Sequence, residues 1–190
     1  RAVAILDAWT SLYAFGIDAG VDTLTSWMRA VSLCAPRIRG GQALLIGETD
    51  PTLAQSLMLW NSTLLAQTEL REREQTALPP VFAAACVWGR RDAVKVTLER
   101  IGALGGGDLS AIETTEGMLP SVLGPVPIPQ PRTIDSRELE GTADRVKAVV
   151  RVPQSRRGEL ALRLRSASAR HVAAREPGEL RFQLDPKERI

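Results

Sequence analysis

Two consecutive prolines, Pro79 and Pro80, limit how this 190-residue chain can fold. Proline lacks an amide donor and restricts the residue before it, so neither a helix nor a central strand can continue through this pair. A charge-rich helical segment at about 62–76 precedes the prolines, and an apolar run follows them. We therefore predict a domain boundary here, with one domain at 1–77 and a second at 78–190.

The first domain has the pattern of a parallel α/β unit. Two short apolar runs, at 2–9 and 42–48, are typical of strands that are buried on both faces. Between these runs, Asp22 is the candidate N-cap of a helix that Pro36 ends. Two further helices are expected between 50 and 77. Strand, helix and strand in this order indicate an α/β fold.

The second domain has the order βαββαβ. The sequence predicts strands at 81–89, 121–129, 145–152 and 180–185, helices at 91–104 and 157–175, and a polar loop at 130–143. This order is typical of a ferredoxin-like fold, in which two helices cover one face of a four-stranded sheet. His171 falls on the apolar stripe of the last helix, where we expect a packed histidine and not a catalytic base.

Positive charge is concentrated in the last fifty residues. Residues 141–190 contain 12 lysines and arginines against 6 acidic residues, whereas the net charge of the whole chain is only +2. This asymmetry is compatible with a polyanionic partner and equally with a solvated basic face.

Strand alternation indicates where these basic residues lie. The candidate DNA-binding residues, on the open face of the sheet and on one flank of the last helix, are Arg145, Lys147, Arg151, Arg163, Arg170 and Arg181. Such a patch would contact phosphates and follow backbone shape, and would not read base identity. Phe182 is the aromatic residue near this face, and strand alternation directs its side chain toward the core. Base-stacking recognition of single-stranded RNA is therefore not expected.

The sequence contains no recognisable catalytic or metal-binding motif. It lacks a G-x-x-x-x-G-K-[ST] phosphate loop, and Cys34 and Cys86 form no CxxC pair. No apolar run reaches the roughly 20 residues of a transmembrane helix. We predict no catalytic residue, no metal and no membrane contact, and a cytoplasmic, nucleoid-associated location. Since the first residue is Arg1 and not methionine, we also expect a piece of a longer protein.

Three short stretches resemble the C-terminal region of the PriA family of primosomal replication-restart proteins. ER at 72–73 followed by LPP at 78–80 resembles the entry into the last domain of that family. VLGPVP at 122–127 is the most specific match, and LDP at 184–186 resembles the terminal strand. Together these stretches cover roughly 70–190.

Residues 1–69 resemble the second, RecA-like helicase lobe of the same family less closely. Where the family has an ATP-contacting motif with a glutamine and arginines, this chain has Ala30, then Leu33 and Cys34, and only Arg37 is retained. The zinc-binding cysteines of the family are absent. The resemblance therefore implies the degenerate actinobacterial-type branch, in which a helicase-lobe remnant without ATP or zinc precedes an S10-like domain.

The resemblance also implies partners. In the family this last domain contacts branched or forked DNA and helps to hold the acidic tail of single-stranded DNA-binding protein, together with other primosome proteins. An arginine just after the third strand takes part in the tail contact, and Arg156 is the nearest position here, with Arg157 as an alternative. An arginine beside an apolar slot suits such a tail. Two alternatives remain open, namely part of an active ATP-dependent 3′→5′ DNA helicase and an S10-like protein–protein interaction module.

Overall fold

A computed structural model describes residues 2–14, 16–128 and 144–186. The chain divides into two compact units, which comprise residues 1–71 and 72–190. The segment predicted to be a loop at 130–143 lies outside the described residues.

The first unit contains a parallel pair of short strands. Its main elements are strand β1 (Ala2–Ile5), a 3-10 helix (Ala8–Tyr13), helix α1 (Ala19–Val31), strand β2 (Gln42–Leu45), helix α2 (Pro51–Met58) and helix α3 (Ser62–Gln75), which continues into the second unit. The two strands run parallel, with Ala2 opposite Gln42 and Ile5 opposite Leu45. The predicted strand–helix–strand unit is therefore confirmed.

Both strands of this unit are shorter and more exposed than the sequence predicts. Ala8 and Trp9, which were expected to belong to the first strand, lie in the 3-10 helix. The prediction that both strands are buried on two faces is wrong, because every residue of β1 and β2 is half-buried or exposed. Among the described residues these two strands form a sheet by themselves. Such a sheet does not identify a RecA-like lobe, so that origin stays a prediction. The core of the unit consists of Ala8, Leu24, Trp27, Leu53 and Leu65.

A side-chain cap explains where helix α2 begins, whereas helix α1 has no side-chain cap. Asp50 caps α2, because its Oδ1 accepts a hydrogen bond from the Leu53 amide at 2.9 Å and Pro51 occupies the first turn. Asp22 was predicted to cap α1, and this prediction is wrong, since the helix already begins at Ala19. Asp22 lies in the first turn instead, where a negative charge favours the helix dipole.

The second unit contains a four-stranded antiparallel sheet. Its elements are strand β3 (Phe82–Arg90), helix α4 (Arg91–Arg100), strands β4 (Ala111–Thr114), β5 (Gly117–Pro120), β6 (Val122–Pro127) and β7 (Arg145–Pro153), helix α5 (Arg157–Ala173) and strand β8 (Leu180–Leu184). The strand order across the sheet is β6-β7-β3-β8, and every neighbouring pair is antiparallel. β4 and β5 form a separate hairpin that was not predicted. Without the hairpin, the order is βαββαβ, which is the predicted ferredoxin-like arrangement.

Helices α4 and α5 pack against one face of this sheet. Alternate residues of β7, namely Val146, Ala148, Val150 and Val152, are buried in the core beneath the helices, as predicted. The remaining fully buried members of this core include Ala83, Ala85, Val87, Val94, Leu98, Ile101, Leu109, Leu160 and Leu164. The residues between them along β7 therefore point to the opposite face.

The two compact units divide at a point earlier in the chain than the prolines suggest. The prolines do follow the end of α3, but the last turn of this helix belongs to the second unit. The Arg73 guanidinium donates a hydrogen bond to the Pro79 carbonyl at 3.3 Å. Ala77 is fully buried in a small cluster with Phe82 and Ile112. These contacts place the residues after Arg71 with the second unit.

Candidate nucleic-acid interface

Basic side chains collect on the face of the second-unit sheet that lies away from helices α4 and α5. In β7, Arg145, Lys147 and Arg151 alternate with the buried core residues. In β8, Arg181 lies opposite Trp88 of β3, and Trp88 lies opposite Lys147. Register and alternation therefore bring these basic residues to one face of β3, β7 and β8, which we call the open face.

Trp88 lies in the middle of a row of side chains across the open face. It is half-buried, and its cross-strand neighbours are Lys147 on one side and Arg181 on the other. Directly opposed residues of adjacent strands have Cβ atoms about 5 Å apart, so their side chains are within reach of one another. An aromatic residue on this face was not expected from the sequence. Alternation along β3 from the core residue Val87 would have indicated it.

Arg151 shares the open face but is not accessible to a ligand. Its side chain is 4% exposed, and its guanidinium donates hydrogen bonds to the carbonyl oxygens of Thr76 and Pro120, the latter at 2.6 Å. Burial lowers the pKa of this group. The position of Arg151 therefore gives no support to the predicted DNA contact, because its guanidinium is buried and already has two carbonyl partners. Arg151 instead joins the segment after α3 to the end of the β4–β5 hairpin.

One carboxylate reduces the positive charge of the open face. Glu179 accepts a hydrogen-bonded ion pair from Arg145 at 2.7 Å and a second from Arg181 at 2.8 Å. The Arg181 side chain is nevertheless 68% exposed. Ion pairs of exposed side chains contribute about 1 kcal/mol or less, so an incoming phosphate can compete with Glu179 for Arg181.

A second group of basic residues lies at the start of α5, in a network with two carboxylates. Arg156 donates to both carboxylate oxygens of Glu159, at 2.7 and 3.0 Å, and to Asp108 at 2.6 Å. Arg163 donates to both oxygens of Asp108 at 2.7 Å and to the Ile101 carbonyl at 2.8 Å. Hydrogen bonds from Arg163, and to a smaller extent from Arg156, hold the pKa of Asp108 well below its ordinary range.

The carboxylates of this network compete with external anions for Arg156 and Arg163. Arg156 was predicted to hold an acidic tail and Arg163 to contact DNA, and both already have carboxylate partners within the chain. An external anion at either position has to displace Asp108 or Glu159 or share an arginine with them.

The two remaining candidates on α5 are more exposed. Arg157 pairs with Asp185 at 2.7 Å, and its side chain is 54% exposed. Arg170 is exposed and forms no ion pair with any residue that the structure describes. Arg170 is therefore the candidate on this helix that an external phosphate could reach without competition.

His171 is a packed residue, as predicted. It is 7% exposed, and each ring nitrogen faces an oxygen, with Nδ1 at 3.1 Å from Glu176 Oε2 and Nε2 at 2.9 Å from the Gly178 carbonyl. Glu176 also receives a bidentate hydrogen bond from Arg100, which lowers its pKa further than the contact with His171 does. The histidine thus connects the end of α5 to the turn before β8.

Neither a metal site nor a membrane helix is found among residues 2–14, 16–128 and 144–186. No group of three or more His, Cys, Asp or Glu side chains there is arranged to hold a metal ion. Cys34 and Cys86 are free thiols, and Cys86 is buried. None of the helices is both long enough and apolar enough to cross a bilayer.

Comparison with known proteins links this sheet to replication restart. Residues 74–187, which include the whole sheet and both of its helices, match the family described as Primosomal protein N C-terminal domain. The chain is 31% identical over 192 residues to the probable replication restart protein PriA of Mycobacterium leprae, in an alignment that covers 97% of this chain and 26% of the relative. It is 30% identical over 189 residues to the protein of the same name from Mycobacterium tuberculosis, covering 97% of this chain and 27% of the relative.

The chain thus spans about a quarter of the length of the curated relatives that it matches. The family match begins within helix α3, close to the division between the two compact units. The chain belongs to the Primosomal protein N C-terminal domain family and corresponds to the C-terminal region of replication restart proteins of the PriA type.

Proposed function

We propose that this chain is a nucleic-acid-binding and partner-binding portion of a replication restart protein, and that the open face of its C-terminal sheet contacts branched or forked DNA. The observation that carries this proposal is the row on the open face, in which Lys147 and Arg181 flank Trp88. Cations bind the phosphates of a strand, and an aromatic ring can stack on an unpaired base. A fork offers both duplex and single-stranded segments.

The charge balance of the open face supports an anionic ligand. Arg145, Lys147 and Arg181 all contribute positive charge to this face, and Glu179 is the carboxylate that pairs with Arg145 and with Arg181. On the helix side of the sheet, Arg170 adds an accessible cation. DNA contacts through such groups are expected to follow the phosphate backbone and to weaken with salt.

The proposed contact with single-stranded DNA-binding protein rests on Arg156 and Arg157. Support comes from their position where α5 begins, one short 3-10 turn after β7, since the resemblance implies an arginine soon after the third strand. An acidic tail bound here would take the Arg156 guanidinium from Asp108 or Glu159 in a charge-assisted hydrogen bond. Contacts with other primosome proteins are part of the same proposal, and so is a location at the nucleoid.

We further propose that this segment has no catalytic site of its own and binds neither ATP nor zinc. Support comes from the sequence, in which Ala30 and Leu33-Cys34 replace the glutamine and the first glycine-arginine pair of the family motif. The alternative is a portion of an active ATP-dependent helicase. DNA-stimulated ATP hydrolysis by the full-length protein would favour that alternative.

The test is fluorescence anisotropy of the 190-residue chain on a labelled fork, with unlabelled linear duplex as competitor, at two salt concentrations. The decisive variant changes Arg145, Lys147 and Arg181 together to alanine. We expect this variant to lower affinity and to reduce the slope of log Kd against log salt by about 2 to 3, because each phosphate contact contributes about 0.9.

The matched control changes Arg29, Arg37 and Arg39 to alanine, which removes the same charge from exposed positions in the first unit. Equal fork affinity for both triple variants would contradict the assignment of the open face. A chain that binds no DNA at either salt concentration, yet binds a protein partner in a salt-insensitive way, would favour the S10-like protein–protein interaction module.

A further inference from the structure

The carboxyl ends of β1 and β2 lie side by side in the first unit, because the two strands are parallel. The 3-10 helix follows β1, and residues 46–49 follow β2. The Ala8 amide donates a hydrogen bond to the Ile46 carbonyl at 2.9 Å. The hydroxyl groups of Ser11 and Thr49 form a second hydrogen bond between the two segments, also at 2.9 Å. The 3-10 helix and residues 46–49 therefore form one continuous surface.

Two aromatic rings are exposed on this surface. The rings of Trp9 and Tyr13 meet edge to face, with their centroids 5.9 Å apart. Trp9 is 48% exposed and Tyr13 is 68% exposed. The chain has four tryptophans and one tyrosine, so two of its few large amphipathic side chains are in contact with solvent here. Tryptophan and tyrosine are enriched at binding surfaces, where an apolar ring and a polar group are both used.

Two carboxylates accompany these rings. The indole Nε1 of Trp9 donates a hydrogen bond to Asp7 Oδ1 at 3.3 Å. Glu48 follows Gly47, and a Cβ atom on that glycine would lie 3.3 Å from the Trp9 amide nitrogen. Both carboxylates are exposed, and neither forms an ion pair with any residue that the structure describes. We call Asp7, Trp9, Tyr13 and Glu48 the acidic aromatic site.

The sequence on either side of the acidic aromatic site supplies only negative charge. Residues 2–28 contain three aspartates and no lysine or arginine. Residues 40–70 contain three acidic residues and again no lysine or arginine. A ligand that complements this surface therefore carries positive charge.

We propose that the acidic aromatic site binds an arginine or lysine side chain from a basic segment of a partner protein. A cation within about 6 Å of a ring centroid is attracted by the negative face of the ring, most strongly by that of tryptophan. The carboxylates of Asp7 and Glu48 complement the same charge. The inference goes beyond the proposed function, because it requires neither DNA nor the sheet of the second unit.

Backbone contacts fix part of the acidic aromatic site before any ligand binds. Asp7 has a φ of +54°, a left-handed conformation that few residues other than glycine adopt. Its carbonyl accepts a hydrogen bond from the Thr10 amide at 2.9 Å, while its side chain accepts the one from Trp9. A group that is already held in place loses less conformational freedom on binding.

Two other occupants fit less well. A nucleic acid would bring its phosphates toward the carboxylates of Asp7 and Glu48, and like charges repel. A second copy of the chain that placed the same surface against itself, as a two-fold dimer does, would bring negative charge to negative charge. A basic segment complements both the rings and the carboxylates.

The test uses the 190-residue chain and a fluorescein-labelled seven-residue peptide with arginines at alternate positions. A second peptide carries citrulline, the uncharged isostere of arginine, in their place. Binding is measured by anisotropy, and we expect the citrulline peptide to bind at least about tenfold more weakly. In NMR spectra, the arginine side-chain protons of the peptide should shift upfield on binding, because they lie over the face of an aromatic ring. Charge attraction alone does not produce this shift.

Variants separate the site from general electrostatics. Asp7→Asn removes the charge but retains an oxygen that can accept the bond from Trp9, and asparagine tolerates the left-handed conformation. We expect Asp7→Asn and Trp9→Leu each to weaken binding of the arginine peptide about fivefold or more. The matched controls are Asp22→Asn and Trp60→Leu, which change an exposed aspartate and a half-exposed tryptophan of the first unit outside the site. The controls should change affinity less than about twofold, and thermal midpoints report whether each variant is folded.

Several outcomes would overturn the proposal. These are no binding up to about 1 mM arginine peptide, equal binding of the citrulline peptide, and equal effects of Asp7→Asn and Asp22→Asn. Displacement of the peptide by single-stranded DNA, with a shift of the Trp9 indole resonance, would identify a nucleic acid as the occupant. If Trp9 of the full-length protein is shielded from a soluble quencher without any peptide, the occupant is another part of the same protein.

Discussion

The carboxylate of Asp108 and the guanidinium of Arg163 face each other in a bidentate ion pair, with both N–O distances at 2.7 Å. Asp108 lies in the loop after α4 and Arg163 on α5, so the pair joins two elements that are distant in sequence. Hydrogen bonds from Arg163 and, to a smaller extent, from Arg156 favour the ionised carboxylate. The pKa of Asp108 in the folded chain therefore lies below its ordinary value of 3.8.

The first prediction is that Asp108→Asn lowers stability in a pH-dependent way. A carboxylate whose pKa is depressed by folding contributes stability that is complete above its unfolded-state pKa and is lost as pH falls through its folded-state pKa. The difference in urea midpoint between the unmodified chain and Asp108→Asn should be largest near neutral pH and should shrink below pH 3.8. A difference that grows on acidification would contradict this role.

The same substitution tests Arg163 as a DNA contact. Loss of the Asp108 charge leaves Arg163 with fewer carboxylate partners, so fork affinity should rise a few-fold and its salt dependence should steepen. Asp92→Asn is the matched control, because Asp92 is an exposed carboxylate paired with Arg90 at 3.0 Å. If both substitutions raise affinity equally, the effect is one of net charge, and Arg163 is not a specific contact.

A second prediction concerns Arg151, whose buried guanidinium binds the carbonyls of Thr76 and Pro120. Arg151→Met retains most of the side-chain volume but leaves both carbonyls without this donor, so the free energy of unfolding should fall by about 2 to 4 kcal/mol. Arg181→Met, at an exposed position on the same face, should change it by about 0.5 kcal/mol or less. Chemical denaturation measures both values. If Arg151→Met and the unmodified chain have the same free energy of unfolding, these hydrogen bonds do not contribute to stability.

A third prediction concerns the close approach of β3 and β8 at Gly89. A Cβ atom at this position would lie 1.9 Å from the Glu179 carbonyl oxygen, and the residue has a φ of +152°. Gly89→Ala should therefore destabilise the chain by clearly more than the roughly 1 kcal/mol that a positive φ alone costs. Gly105→Ala is the control, since Gly105 also has a positive φ but no atom near its Cβ position. Similar thermal midpoints for the two variants would show that β8 can move aside.

A fourth prediction rests on the proposed function and concerns Trp88. If a base of the single-stranded arm stacks on this ring, Trp88→Ala should weaken binding to a fork with such an arm by about 1 to 3 kcal/mol, and Trp88→Phe should weaken it less. Binding to blunt linear duplex should change little in either variant. With 5-fluorotryptophan in the chain, the fluorine resonance of Trp88 should shift on addition of the fork. An unshifted Trp88 signal on a saturated fork would argue against stacking.

Local patterns were sufficient to predict most of the second unit. Alternation at 145–152 placed Val146 and Val150 in the core correctly, and the proline pair near Ala77 marked the end of α3. Both features depend on the backbone and on residues close in sequence, which is why a single sequence contains them. The β4–β5 hairpin was missed because each strand has only four residues.

The errors concern contacts between distant segments. Nothing near Arg151 in the sequence indicates that the carbonyls of Thr76 and Pro120 will surround it. Likewise, Asp108 is separated from Arg156 and Arg163 by the strands β4 to β7, so their pairing follows from the topology and not from spacing. The short exposed strands of the first unit, with residues such as Leu44 half exposed, show the same limit, because an apolar run does not reveal how many strands flank it.

The position of β3 in the centre of the sheet has a consequence for synthesis of the chain. Both of its neighbours come from much later in the sequence, and the hydrogen bonds between Ala84 and Asp185 span 101 residues. As the chain leaves the ribosome, β3 and α4 emerge first and have no sheet to join until β7 follows. β8 closes the other edge of β3 only after almost the whole described chain has emerged. A translating ribosome therefore carries an incomplete sheet, with one edge of its most apolar strand unpaired, until synthesis has passed Leu184.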